Sequence, residues 1–259
     1  MFPIIFQIGP ITIYSFGALM ALAALSSAWV VHAELKRRGY DPEIASSMIF
    51  AAVVGGLLGA RLLFIVEEWS NFLRSPWEYI FTGAGFTWYG GFLGGVLAVS
   101  WVVRKNKIPW REAADIAAPA LAIGYGIGRL GCHFAGDGDW GTVTDVPWGV
   151  AYRNAIVGWP YPPGVRVHPT PIYEFLESAA IFAVLWALRK KNLLPGAMFW
   201  LYLVLAGAAR LVVEFWRVNP VLGLGLTEAQ WFSIAMIAVG LWQLLWRTRV
   251  EKVAPARRS

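Results

Sequence analysis

A single cysteine, Cys132, among 259 residues rules out an intrachain disulfide and leaves the redox compartment unreadable. Charge is also scarce. Only 15% of residues are charged, against about 25% in ordinary soluble proteins. There is no low-complexity linker and no internal repeat, although many transporters are built from repeated halves. The first ten residues, Met1–Pro10, lack a positively charged n-region, and the apolar run behind them is a full span. That run reads as a first membrane helix rather than a secretory leader.

What the chain does have is apolar surface. Hydrophobic residues make up 58% of it, with a mean hydropathy of +0.54, more than a soluble domain of this length can hide. Seven runs are long enough to span a bilayer, near 11–32, 44–66, 86–103, 114–133, 170–188, 196–215 and 226–246. The expected fold is therefore all-α and integral to the membrane, with seven transmembrane helices over residues 1–246. A basic tail, mostly disordered, follows at 247–259.

The net charge of +6 is informative through its placement. Lys36, Arg37 and Arg38 follow the first run, and Arg104, Lys105, Lys107 and Arg111 the third. Arg189, Lys190 and Lys191 follow the fifth, and Arg247, Arg249, Lys252, Arg257 and Arg258 the seventh. Clusters on alternate connections place those ends in the cytoplasm, the N-terminus outside and the C-terminus inside. Their regular position at helix ends argues against a nucleic-acid surface. The long connection at about 134–168 then lies outside. Its prolines and two strand-like runs, Trp148–Arg153 and Ala155–Tyr161, suggest a small β-containing periplasmic head between the fourth and fifth helices.

Seven basic residues fall outside the clusters, and all are arginine: Arg61, Arg74, Arg129, Arg153, Arg166, Arg210 and Arg217. Arginine offers a planar fork for bidentate phosphate contacts and stays charged in apolar surroundings. A charge within the bilayer costs about 2.5–3.5 kcal/mol on insertion scales and calls for a reason. Arg61, Arg129, Glu174, Glu177, Arg210, Glu214 and Arg217 all lie in or beside apolar runs. The last three are spaced by four and then three, which puts them on one helical face. They form either a structural ion-pair stripe or a charged wall facing Arg129. Pro119, Gly124, Gly126, Gly128 and Gly131 predict a kinked or broken fourth helix, with a cavity around Arg129. His168 precedes Pro169, Thr170 and Pro171 at the start of the fifth helix. There it meets either an anion at the helix N-terminus or solvent in a loop.

Several of these runs resemble motifs of the prolipoprotein diacylglyceryl transferase family, in the family's order and along nearly the whole chain. They are Gly59-Ala60-Arg61, Tyr89-Gly90-Gly91-Phe92-Leu93-Gly94-Gly95, and Gly128-Arg129-Leu130-Gly131 with Asp137 and Gly141 after it. His168-Pro169-Thr170-Pro171-Ile172-Tyr173-Glu174 and Arg210-Leu211-Val212-Val213-Glu214-Phe215-Trp216-Arg217 are the most specific matches. The resemblance implies transfer of a diacylglyceryl group from phosphatidylglycerol to the lipobox cysteine of preprolipoprotein signal peptides, in the bacterial cytoplasmic membrane. Neither a cofactor nor a metal is expected. By the resemblance, Arg129 and Arg210 stabilise the leaving phosphate, Glu214 orients Arg210, and Tyr173 bonds nearby. Arg61, Asp137, His168, Glu174 and Arg217 join them as substrate-binding residues. The chain departs from the family at four positions. Tyr89 stands for a histidine proposed as base, Cys132 and Ala135 for asparagines, and Asp137 for a glutamate, while the stretch to Gly141 is one residue longer. His133, beside the motif, is a substitute base, with Tyr89 the rival. A paralogue with another acceptor and a non-enzymatic lipid or anion transporter are the competing readings.

Overall fold

Ile4, Ile5, Ile11, Thr12 and Ile13 favour extended backbone over helix. In the computed structural model, which describes residues 1–9, 11–81 and 85–253, they form an antiparallel hairpin of β1 (Ile4–Ile8) and β2 (Ile11–Tyr14). The first long helix, α1 (Ser15–Arg37), therefore starts at Ser15 rather than at residue 11. The Ser15 N–H and hydroxyl both donate to the Pro3 carbonyl, at 2.9 and 3.2 Å, and so tie the hairpin to the helix.

Next come α2 (Ile44–Glu67), two short helices α3 (Trp69–Phe72) and α4 (Pro76–Phe81), α5 (Trp88–Lys105) and α6 (Trp110–Ala135). They are followed by α7 (Thr170–Leu188), α8 (Ala197–Val213) and a 3-10 turn (Glu214–Trp216). The hairpin β3 (Val221–Gly223) with β4 (Leu226–Thr227) leads into α9 (Glu228–Val253). Each of the seven apolar runs holds one long helix. Among the described residues, five segments are long and apolar enough to cross a membrane: Ser15–Arg37, Ile44–Glu67, Thr170–Leu188, Ala197–Trp216 and Glu228–Trp246. Trp29, Phe50, Leu58, Leu62, Leu176 and Trp242 on these helices face outward, as befits a chain whose solvent is lipid.

Three expectations are corrected. Helix α6 is not broken, because helix continues through Pro119, which is fully buried. Proline removes one backbone hydrogen bond, and the bonds on either side carry the helix past it. The connection between α6 and α7 contains bridges rather than strands. Val150 and Val143 each pair with Val167, Gly141 pairs with Arg217, and the run Ala155–Tyr161 is a turn at Ile156 and Val157 with irregular backbone around it. Gly158 at φ +84° and three prolines, Pro160, Pro162 and Pro163, break up any ladder there. Helix also continues past Trp246 to Val253, so the expected disorder of the 247–259 tail does not start at its first residue. Residues 254–259 lie outside those described.

Contacts divide the chain into two units. In Ala28–Ala113, α2 packs on α5 through glycine. A Cβ at Gly59 would sit 2.8 Å from the Gly94 Cα, and one at Gly55 would sit 2.7 Å from the Gly94 carbonyl oxygen. Small residues at this spacing let backbones touch where lipid gives no hydrophobic drive. At one end of this unit Glu34, 1% exposed, takes an ion pair from Arg37 at 2.7 Å, and the Tyr40 hydroxyl donates to Glu112 at 2.9 Å. In the unit formed by Met1–Ser27 and Ala114–Ser259, Ala118, Ala122, Ile181, Leu185 and Met198 form a core shared by α6, α7 and α8. The buried Asp115 carboxylate accepts the Gly196 and Phe199 N–H groups at 2.6 and 3.0 Å. It caps α8 from α6 and fixes where α8 starts along α6.

Candidate active site

Three guanidinium groups and three carboxylates meet within the second of these units. Glu174, in the first turns of α7, is 2% exposed and stands at the centre. Its Oε2 pairs with Arg217 Nη1 at 3.1 Å and Arg129 Nε at 3.4 Å. Its Oε1 pairs with Arg210 Nη1 at 3.3 Å and accepts the Tyr125 hydroxyl at 2.8 Å. Glu214, fully buried as α8 tightens into its 3-10 turn, pairs with Arg210 Nη2 at 2.7 Å and Arg217 Nε at 3.9 Å. Its second oxygen accepts from Asn219 at 2.7 Å and the Thr227 hydroxyl at 2.6 Å, so the β3–β4 hairpin helps to orient it.

Asp139, in the loop after α6, supplies the third carboxylate. Its Oδ2 is paired with Arg129 and its Oδ1 with Arg217 at 2.6 Å. Burial alone would push this carboxyl up. Arg129 and Arg217, by charge and by hydrogen bond, hold it below the usual carboxylate range instead. The Asp139 carbonyl is held separately by the Thr170 hydroxyl at 2.6 Å and Arg217 Nη1 at 3.3 Å. Arg129 also lies 4.9 Å over the Tyr125 ring. A buried charge left unpaired costs several kcal/mol. The alternation of three cations with three anions is what makes the cluster tolerable away from water.

The structure thus brings together Arg129, Glu174, Arg210, Glu214 and Arg217, five of the residues singled out from sequence. The spacing of Arg210, Glu214 and Arg217 suggested one helical face. In fact α8 ends at Val213 and Arg217 is extended, at φ −85° and ψ 155°, yet both arginines still reach Glu214. His133 lies one turn beyond Arg129 on α6, with its Nδ1 2.9 Å from the Tyr152 hydroxyl. Tyr152 is buried against Trp140 and Val167 in the core of the connection, and burial raises its phenol pKa. His168 and Tyr173 form a separate group. The Trp148 indole donates to the Tyr173 hydroxyl at 2.7 Å, and that hydroxyl lies 3.0 Å from His168 Nδ1. Burial lowers the His168 pKa. Asp137 accepts the Asp139 N–H at 3.2 Å, so it supports the loop while Asp139 meets the arginines. Arg61 and Tyr89 belong to the other unit. There Arg61 donates to the Gly85 carbonyl at 2.9 Å and lies over the Phe86 ring, and Tyr89 packs edge-on to Trp88.

Sequence reasoning passed over Tyr125, Asp139, Asn219 and Thr227. Tyr125 carried a signal, being one helical turn before Arg129. Asp139 carried a weaker one, an acid between glycine and tryptophan in a loop. Nothing in the spacing of Asn219 and Thr227 points to Glu214.

Five apolar segments of spanning length and an arginine-rich ionic cluster mark a helical membrane protein. The family model for prolipoprotein diacylglyceryl transferase matches residues 3–246. The chain belongs to that family, and is with it a transferase. A phosphatidylglycerol–prolipoprotein diacylglyceryl transferase of Clostridium tetani is 31% identical over 245 residues, covering 93% of this chain and 96% of the relative. That of Pseudoalteromonas atlantica is 33% identical over 265 residues, covering 97% and 91%. That of Leptospira interrogans is 34% identical over 236 residues, covering 82% and 72%.

Proposed function

We propose that this protein transfers the diacylglyceryl group of phosphatidylglycerol to the lipobox cysteine thiol of preprolipoproteins and releases glycerol phosphate. The observation that carries the reading is the convergence of Arg129, Arg210 and Arg217 on Glu174, all four on motif positions of the family. In the reaction a carbon–oxygen bond to phosphate breaks as the sulfur bonds to that carbon. Negative charge builds on the departing phosphate, and preorganised guanidinium groups stabilise it. Glu174 and Glu214 aim those groups through several ion pairs each. The thiol must also lose its proton. His133 is the proposed acceptor and Tyr89 the alternative. Arg61, Asp137, His168 and Tyr173 are proposed to bind substrate, on the strength of their motif positions. The seven long helices are read as seven spans, with the connection between α6 and α7 outside, the N-terminus outside and the C-terminus inside.

The test uses purified protein, labelled phosphatidylglycerol and a lipobox peptide. The expected product is a diacylglyceryl thioether on the peptide. Lipid consumption without that thioether would indicate a different acceptor, and no consumption at all would overturn the reading.

A further inference from the structure

We propose that the Asp139 carboxylate and the substrate phosphodiester compete for one seat on Arg129 and Arg217, and that the lipid displaces the carboxylate when it binds. This rests on the reading of the arginine cluster as the phospholipid phosphate site. Asp139 spans two arginines, one oxygen to Arg129 and the other to Arg217 at 2.6 Å. A phosphodiester offers the same thing, one negative charge shared by two non-bridging oxygens that arginine forks accept side by side.

Asp139 differs from its two partners in ways that fit a removable stand-in. Its side chain is 32% exposed, against 2% for Glu174 and 0% for Glu214. Those two sit on α7 and at the end of α8, whereas Asp139 is in a loop. That loop has Gly136 at φ +64° and Gly138 at φ +99°, backbone that side-chain-bearing residues rarely adopt. The Asp139 carbonyl is held by the Thr170 hydroxyl and Arg217, so the carboxylate can turn away while the loop stays in place. Charge balance leads to the same point. Glu174, Glu214 and Asp139 already match the three arginines, and the Asp137 carboxylate stands within 4.8 Å of Asp139, so a phosphodiester added to the intact cluster would bring negative charge with no cation left to pair it. Exchange of one anion for another leaves the charge of the cluster unchanged, and Asp139 is the most exposed of its three paired carboxylates.

A seat held about nine-tenths of the time by its own carboxylate weakens apparent lipid affinity about tenfold, because only the open fraction binds. Dihexanoyl phosphatidylglycerol is titrated into detergent-solubilised protein, with dihexanoylglycerol, which lacks phosphate, as control. Asp139→Asn keeps the shape and removes the charge. It is expected to bind the phospholipid about tenfold more tightly and to show a lower KM without a higher kcat. Asp139→Glu should stay near wild type, and dihexanoylglycerol should not distinguish the three proteins. Without lipid the Asn variant should melt below wild type, and the phospholipid should raise its melting temperature by more than it raises that of wild type. Equal or weaker phospholipid binding by Asp139→Asn overturns the proposal, as does an equal gain for dihexanoylglycerol. The two readings fail separately. If wild type binds the phospholipid but forms no thioether, the activity falls and the seat stands. If wild type is active and the Asn variant gains no affinity, the seat falls and the activity stands.

Discussion

Replacement of Arg210 by lysine tests whether the site needs a fork or only a charge. Arg210 uses two nitrogens at once. Nη1 lies 3.3 Å from Glu174 and Nη2 lies 2.7 Å from Glu214, so one side chain bridges α7 to the end of α8. A lysine has a single nitrogen and can keep only one of those ion pairs at good length, and the pair with Glu174 is also a hydrogen bond. A hydrogen bond to a charged group contributes about 1.5–3 kcal/mol. At 1.4 kcal/mol per factor of ten, losing one predicts a fall of about 10- to 150-fold in kcat/KM. Arg210→Ala is a harsher change and less clean. It leaves Glu174 and Glu214 short of a counter-charge, and an unmatched buried ion costs about 3–5 kcal/mol of stability. Turnover is read as thioether on a lipobox peptide by mass spectrometry, with thermal unfolding measured on the same preparations. If Arg210→Lys stays within about twofold of wild-type kcat/KM, less than 0.5 kcal/mol, at an unchanged melting temperature, the bidentate argument is wrong.

Four other outcomes are expected. His133→Gln should lower turnover by about 10²–10⁴, as loss of a general base does, and alter the pH profile. Near-native turnover from pH 6 to 9 would remove His133 from proton transfer. Gly59→Ala should separate α2 from α5 and lower the melting temperature, because a Cβ there meets the Gly94 Cα at 2.8 Å. A melting temperature equal to wild type would show that the two helices can part without cost. The folded Asp139 carboxyl lies below its usual range, so its contribution to stability is complete above the unfolded value of about 3.9 and is lost as pH falls through the lower folded value. Between pH 6 and 8 it should be flat, and chemical unfolding of wild type and Asp139→Asn across that interval should differ by a constant amount. Reporter fusions should place Arg38, Arg104, Lys191 and Lys252 inside and Ala155 outside. A cytoplasmic Ala155 would refute the proposed orientation.

The sequence by itself determined the membrane class, the position of seven long helices to within a few residues except at the two ends of α1 and the end of α9, and five members of the ionic cluster. Each of these rests on local or composition-level physics. An apolar run of spanning length has one stable backbone in lipid, since only a helix satisfies its own N–H and C=O groups. An arginine or glutamate in such a run needs a partner wherever the chain folds. Hydropathy misplaced the start of α1, because Ile11–Tyr14 is as apolar in a strand as in a helix and only its pairing with Ile4–Ile8 decides between them. The strands expected in Trp148–Arg153 and Ala155–Tyr161 failed for a related reason. An apolar alternation becomes a strand only if a neighbour completes the ladder, and here Val150 alone finds one, at Val167. Tertiary structure decided which acid meets the arginines. Asp137 and Asp139 are two residues apart and chemically identical, and the motif resemblance points to Asp137 alone. The loop settles it. It turns at Gly136 and Gly138, Thr170 holds the Asp139 carbonyl, and the Asp139 side chain is left between Arg129 and Arg217, 10 and 78 residues away in the chain. Contacts over such separations depend on how the helices pack, and no spacing rule along one helix or strand encodes them.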